Sequence, residues 1–348
     1  MIRGMDAGTA ASLLAEAKEL RKALRGSGGE EARARLEELY PDLQSAFEFF
    51  LAERRPDEAF ELATALVPFW MATKRISDGD HWFRQATSAA GGSERTRARA
   101  LYEHGYLIFW AGEYDRAAAL SRAAIVLARS ASDATVTALA LAVLGRIALN
   151  TDVDEAKRLL REAIAVTDGT EDREGRSSAM HVLGVAHQMS GEFEAASEVM
   201  HARISLGRET GNEMLIAMES ANLSMVERRL GNLEGAHALS TESLEIVSRR
   251  GEELMVPWVV NGLAAVTAAV GDLERAAILN GFAEAGIEGA GGKWPPDERE
   301  QYEWTLAALK TGMAPVALEQ ARERGRGMSP AEGLEFALSA RPAGAPAA

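Results

Sequence analysis

The stretch His104–Ala128, HGYLIFWAGEYDRAAALSRAAIVLA, decides the fold. Gly105 lies in a first apolar helical run, Gly112 in a turn, and Ala117 and Ala124 in a second run. Two antiparallel helices joined by a turn of a few residues approach closely only where their side chains are tiny, so Gly and Ala mark the crossing. Outward from this stretch the pattern recurs. The first small position reads Gly105, Gly145, Gly184, Ser224 and Ala264, and the second reads Ala117, Ala156, Ala196, Ala236 and Ala276, with successive members 39 or 40 residues apart. The turn recurs as Gly112–Glu113–Tyr114, Gly191–Glu192–Phe193, Gly231–Asn232–Leu233 and Gly271–Asp272–Leu273. Glycine supplies the left-handed exit from the helix, and the Tyr, Phe or Leu that follows is expected to plug the seam between helices. The second repeat departs from this: Asn150–Asp154 is one residue shorter and carries no glycine.

A weaker copy fits Val67, Gly79 and Ala86, which makes six helix pairs with a degenerate first one, as expected of a cap. The expected fold is all-α: an α-solenoid of stacked antiparallel helix pairs with repeats of about 40 residues. The organisation follows. Residues 1–34 hold an N-terminal helix, marked by Leu13, Ala17, Leu20 and Leu24, and a flexible exit at Gly26, Gly28 and Gly29. Residues 35–284 hold the repeats, with a break at Arg54–Asp57 ahead of the first pair. Residues 285–340 form C-terminal capping helices, one starting at Pro295–Glu298 and running through Leu309, and one opened by the capping box Ser329-Pro330-Ala331-Glu332. The tail 341–348 lacks apolar side chains and is expected to be disordered.

Composition narrows the function. With 52 acidic and 38 basic residues the formal net charge is −14, so the average field repels phosphate backbones and anionic lipid, and direct nucleic-acid or membrane binding is not expected. There are no cysteines, which excludes disulfides, thiolate metal sites and cysteine nucleophiles and fits a reducing cytosol. Residues 1–20 have no secretory apolar region, because Glu16, Lys18 and Glu19 interrupt it. The apolar run Ala134–Leu149 is broken by Arg146 and is shorter than the roughly 20 residues of a membrane span. A soluble, cytoplasmic protein is the expectation.

The pattern in VLGRIAL (143–149), VLGVAHQMSGEFEAA (182–196) and RRLGNLEGA (228–236) resembles the tetratricopeptide repeat, with longer helices than the usual repeat of about 34 residues. HEAT repeats have a similar length, but the Gly–turn–Ala spacing argues against them. Residues 35 to about 338 resemble, more specifically, the C-terminal repeat domain of large bacterial ATP-binding regulators of the LuxR type. The carriers are RLEELYPDLQSAFEFFL (35–51), PFWMATKRISDGDHWFRQAT (68–87), the helix pairs, PPDEREQYEWTLAAL (295–309) and GMSPAEGLEFAL (327–338). The resemblance implies a right-handed superhelix and a sensing or docking role, and leaves open whether the chain stands alone or is part of a longer regulator. ATP and DNA binding do not carry over. Residues 289–294 come nearest to a phosphate-binding loop, but Ile287 stands at the first glycine position and Trp294 at the Ser/Thr position.

In stacked helix pairs the first helices line the concave side, and residues one repeat apart form lanes across it. The lanes read Tyr102, Ala142, His181, Ala221, Asn261; Tyr106, Arg146, Val185, Met225, Ala265; and Phe109, Leu149, Gln188, Arg228, Ala268, bordered by Asn150, Arg229 and Trp258. Tyr102, Tyr106 and Phe109 offer a stacking floor, and Arg146, Arg228 and Arg229 a local basic exception that would meet acidic groups on a partner. The partner-binding candidates are therefore Tyr102, Tyr106, Phe109, Arg146, Asn150, His181, Gln188, Arg228, Arg229, Trp258 and Asn261. At any single position inter-helix packing or a solvated charge is the commoner explanation. The Ala265 and Ala268 end signals either a narrow groove or coverage by the C-terminal helices.

His181 and His187 lie on different helix faces, and no HExxH motif occurs, so neither metal nor cofactor is expected. His104 and His187 fall in core lanes and are expected to be buried or half-buried neutral rings. The cluster Asp78–His81 reads as capping and surface groups. The sequence supports a non-enzymatic scaffold that binds a protein segment or peptide in signalling or transcriptional regulation. The alternative is a receptor for a small signalling molecule or short peptide. A third class, an enzyme on the solenoid, finds no convergent acid, base and nucleophile set. Exposed repeat ends and the C-terminal helices each offer a surface for homodimerisation.

Overall fold

A computed structural model describes residues 5–24, 29–89, 91–252, 255–289, 294 and 296–339. The tail 341–348, Gly26 and Gly28 of the N-terminal exit, and most of 289–294 lie outside the described residues. Two compact units meet the eye, residues 1–186 and 187–348. The first is built from α1 (Ala7–Ala23), α2 (Gly29–Ala52), α3 (Pro56–Ala72), α4 (Ile76–Ser88), α5 (Glu94–Trp110), α6 (Tyr114–Ser130), α7 (Ala134–Ala148), α8 (Val153–Ala165) and most of α9 (Glu174–Met189). The second contains α10 (Phe193–Thr210), α11 (Glu213–Arg229), α12 (Leu233–Arg249), α13 (Val256–Val270), α14 (Leu273–Gly289), α15 (Pro296–Gly312), α16 (Pro315–Arg326) and α17 (Pro330–Leu338). No strand occurs among the described residues.

The crossing argument is visible atom by atom. All ten small residues of the two series are buried. A Cβ added at Gly145 would stand 2.7 Å from Leu160 Cγ, and one at Gly105 would stand 3.3 Å from the Ala117 carbonyl. At Ser224 the hydroxyl donates to the Ala236 carbonyl at 2.8 Å and pairs with Ser240 at 2.6 Å, so the crossing is satisfied by a hydrogen bond where other repeats use glycine. Turn glycines 112, 191, 231 and 271 all have φ between 71° and 98°, the region that favours glycine. Tyr114 corrects one expectation: it is 43% exposed rather than filling a seam, because it lies against Phe109 at the helix end, while Phe193, Leu233 and Leu273 are half-buried as plugs.

The first unit is anchored by rings. Phe47 stacks on Trp82 at 4.3 Å, Trp82 meets Trp70 edge-on at 5.4 Å, and Trp70 Nε1 donates to the Tyr40 hydroxyl at 3.0 Å. Burial pushes the Tyr40 hydroxyl up to about 12, and it donates onward to Asp78 at 3.2 Å. Gly79 is required beneath this cluster, since a Cβ there would fall 2.6 Å from Trp70. Each fully buried Phe contributes roughly 1.5–3 kcal/mol relative to exposure. The second unit has an aliphatic core, including Leu223, Leu244, Val247, Val260, Leu263 and Leu279. Its end is closed by α16, which crosses α14 backbone to backbone: a Cβ at Gly281 would meet the Arg322 carbonyl oxygen at 2.1 Å, and one at Gly325 the Ile278 carbonyl oxygen at 1.9 Å. The predicted capping box opens α17, with Ser329 Oγ accepting from Glu332 N at 3.3 Å and Ser329 N donating to Glu332 Oε2 at 2.8 Å.

Candidate functional site

In the first unit the helices that open each pair pack side by side, and their shared face holds a pocket of about 590 Å³. Tyr102 and Tyr106 enter from successive turns of α5, and Ala142 and Arg146 from successive turns of α7, because residues four apart share a helix face. Val67, Pro68 and Met71 of α3 add an apolar wall, Glu174 and Ser178 come from α9, and Arg21 reaches in from α1. Tyr102 and Tyr106 stack at 6.1 Å, and the row continues outward through Tyr106–Trp110 at 6.2 Å and Phe109–Trp110 at 5.4 Å. Trp110 is 50% exposed, so the aromatic row runs from the pocket to open solvent.

Beneath the tyrosines lies a buried acid. Glu103 is only 3% exposed, and its carboxylate accepts from Arg21 Nη2 at 2.6 Å and from Arg99 Nη2 and Nε at 2.8 and 3.0 Å. Arg21 also donates to the Thr64 carbonyl, which fixes α1 against α3. Burial alone would depress Arg99, but Glu103 and Glu174 hold its guanidinium well above the ordinary arginine value. Arg99 sits 5.4 Å from the centre of the Tyr102 ring. Burial, reinforced by the Glu103 charge, pushes the Tyr102 hydroxyl well above its ordinary value and keeps it neutral. The pocket thus offers aromatic faces, an apolar wall and guanidinium groups from two helices, Arg21 of α1 and Arg146 of α7, around a carboxylate that is already paired.

A larger opening of about 870 Å³ lies at the N-terminal ends of α5, α7 and α9. Two of its acids serve the backbone, Asp133 accepting from Val136 N at 3.0 Å and Asp172 from Glu174 N and Gly175 N at 3.1 and 3.2 Å, while Glu61 pairs with Lys18 and Glu174 with Arg99. The aspartates make capping bonds, so the opening has less to offer a ligand.

In the second unit the equivalent face is occupied by α15. Arg228, 8% exposed, lies 4.0 Å above the Trp304 ring. Burial, with the neighbouring Arg229, pushes its guanidinium down to about 10 against the opposing pull of Glu300. Arg229 pairs with Glu300, and Asn261 Nδ2 donates to the Glu298 carbonyl and carboxylate at 3.1 and 2.7 Å. Ala265 and Ala268 are buried, and Ala268 packs with Leu309 and Trp304, so this end is covered by a C-terminal helix.

Of the eleven candidate positions, Tyr102, Tyr106 and Arg146 line one pocket, Phe109 belongs to the adjoining aromatic row, and Arg228, Arg229 and Asn261 sit together against α15. Asn150 is exposed and donates to the Ile147 carbonyl at 3.2 Å, Trp258 is exposed, and His181 and Gln188 are half-buried on α9. Arg21 and Glu103 were not among the candidates. Nothing local signals Arg21, because its contact with Glu103 spans 82 residues, whereas the i,i+4 spacing of Arg99 and Glu103 was a local signal for the acid. His104 and His187 are buried. Asp80 is a second correction: it is no surface cap but a half-buried acceptor of His104 Nε2 at 2.7 Å and of Arg116. No group of three or more His, Asp or Glu able to hold a metal occurs among the described residues.

Comparison with known proteins agrees with this architecture. No family model matches the chain. Over 298 residues it is 26% identical to a protein of Mycobacterium tuberculosis H37Rv named as an HTH-type transcriptional regulator, covering 82% of this chain. The chain spans 33% of that relative, about a third of its length. Among solved structures it is similar to a signal-transduction ATPase with a tetratricopeptide-repeat sensor from Pyrococcus horikoshii, with TM-score 0.59, 12% identity and coverage of 88% of this chain and 47% of that one. It is also similar to a Rap protein complexed with competence and sporulation factor, with TM-score 0.55, 11% identity and coverage of 90% and 99%. At these identities the likeness is one of fold. The chain is a tetratricopeptide-like α-solenoid, and no helix among its described residues is long and apolar enough to cross a membrane.

Proposed function

We propose that this chain is a non-enzymatic docking module that binds a protein segment or peptide at the α3–α5–α7 face, in signalling or transcriptional regulation. The observation that carries the reading is the pocket of about 590 Å³ with its Tyr102–Tyr106 stack and Arg146, continued outward by Phe109 and Trp110. Aromatic residues and arginine are the types that concentrate binding energy at interfaces. The ligand that suits this lining has a flat or apolar side chain for the tyrosines and a carboxylate for Arg146. The similarity to a named transcriptional regulator and to an ATPase with a repeat sensor supports the regulatory setting. A second reading, a receptor for a small signalling molecule or short peptide, draws on the same volume, which falls within the range of small-ligand pockets.

The test is selection of a random peptide display library on the full chain. Acidic peptides carrying an aromatic or aliphatic anchor should be enriched, and Arg146→Glu and Tyr106→Ala should each weaken their binding at least tenfold with an unchanged melting temperature. Enrichment that survives both substitutions overturns the assignment of this pocket.

A further inference from the structure

The second unit carries a different surface, and its occupant shows how it works. The buried seam of α15 reads Gln301, Thr305, Leu309 at steps of four, so two of its three buried positions among the described residues are polar. Thr305 spends its hydroxyl on its own helix, donating to the Gln301 carbonyl at 2.9 Å. Gln301 Nε2, Arg228 Nε and Asn261 Oδ1 are buried without a hydrogen-bond partner among the described residues. Orphaned groups on both sides of one contact mean that the contact is imperfectly matched, since buried polar atoms are nearly always paired. Leu309 and Trp304 hold α15 through an apolar contact with Ala268, while its polar contacts are Glu298 with the buried Asn261, the Tyr302 hydroxyl donating to Glu284, and Glu300 with Arg229 at the solvent-exposed rim. The rim pair exchanges readily for water. Arg228 meanwhile faces a ring rather than a carboxylate, with its charge desolvated.

We infer that the α11–α13 face is a helix-binding surface on which α15 is an intrachain placeholder, displaced by an amphipathic helix of a partner that brings a carboxylate to Arg228. The surface differs from the α3–α5–α7 pocket, so this inference stands or falls separately from the proposed function.

Because the chain lacks cysteine, a single thiol reports on α15 in the full-length protein. Under native conditions Thr305→Cys should react with a thiol reagent at least tenfold faster than Ala264→Cys in the core, and faster still at high salt. Should either variant fail to fold, hydrogen exchange of the wild-type chain gives the same comparison, with amides of 296–312 exchanging at least tenfold faster than those of 256–270. A fluorescent peptide of residues 294–312 with Glu placed one turn either side of Trp304 (Gln301→Glu, Ala308→Glu) should bind the full chain saturably, and Arg228→Met should abolish that binding. Protection of α15 equal to that of α13, or no saturable binding of the peptide, overturns the inference.

Discussion

The two units solve the same geometric problem in opposite ways. In both, the helices that open each pair present a face carrying aromatic or basic side chains. In the first unit that face is an open pocket whose buried charge is closed: Glu103 is matched by Arg21 and Arg99. In the second the face is filled by α15, and Arg228 has a ring beneath it and an Nε without a hydrogen-bond partner among the described residues. An open face can persist where its buried charges are already satisfied. A face with an orphaned cation instead recruits a cover, and the cover it finds in the same chain is an imperfect one.

The largest effect should come from breaking the satisfied charge. Glu103→Ala leaves two guanidinium groups without their acid and should destabilise the first unit by about 3 kcal/mol, the low end for a broken buried pair because both arginines retain some solvent contact. Glu300→Ala, which removes an exposed pair on α15, should change stability by less than about 1 kcal/mol. Chemical denaturation followed by far-ultraviolet circular dichroism separates the two; equal losses would erase the contrast. Next in size is a comparison of glycines. Gly145→Ala forces a Cβ to within 2.7 Å of Leu160 and should lose about 1 kcal/mol after the gain in helix propensity. Gly262→Ala, whose nearest neighbour is Gln301 Nε2 at 3.6 Å, should gain about 0.5 kcal/mol. A loss at Gly262 as large as that at Gly145 would mean that α15 is packed as tightly as a repeat crossing.

The smallest effect is on acid sensitivity. Burial lowers both His104 and His237 below the free histidine value of 6.5, so the unfolded chain binds protons more readily than the folded one. Their contribution to stability is therefore complete above pH 6.5 and is lost as the pH falls below it. His104 keeps Asp80 at 2.7 Å, which offsets protonation, whereas His237 faces Arg275 and its Nε2 has no hydrogen-bond partner among the described residues. Between pH 7 and pH 5 the second unit should lose more stability than the first, and His237→Asn should remove most of that excess. Hydrogen exchange corrected for intrinsic rates, comparing α12 with α5, measures it; equal losses would show that Asp80 gives His104 no protection.

The repeat was legible because Gly105, Gly145 and their partners obey a rule that acts within one helix pair, and steric exclusion writes itself directly into residue size. Helix α16 obeys no repeat register and was missed, although Gly281 and Gly325 carry the same small-residue signature at its crossing with α14. The tyrosine and arginine lanes were readable as a face, but whether that face is open or covered depends on contacts made at long range. Arg229 meets Glu300 across 71 residues, and no local pattern encodes such a pairing. The exposure of Tyr114 and the burial of Asp80 have the same origin, because each is set by a neighbour on another helix: Phe109 for the first, His104 and Arg116 for the second.

The reach of Arg21 into the pocket also gives the first helix a say in what the pocket selects. Removing α1, by cleavage or by an alternative translational start, would take away one of the two guanidinium groups that neutralise Glu103 and uncover its carboxylate beside the tyrosines. Arg99 would still hold Glu103, so the aromatic floor would face a half-matched acid in place of a fully matched one. On the function proposed above, the shortened chain would bind acidic ligands more weakly than the intact one, so that a helix at one end would tune the charge preference of a site built from the middle of the sequence.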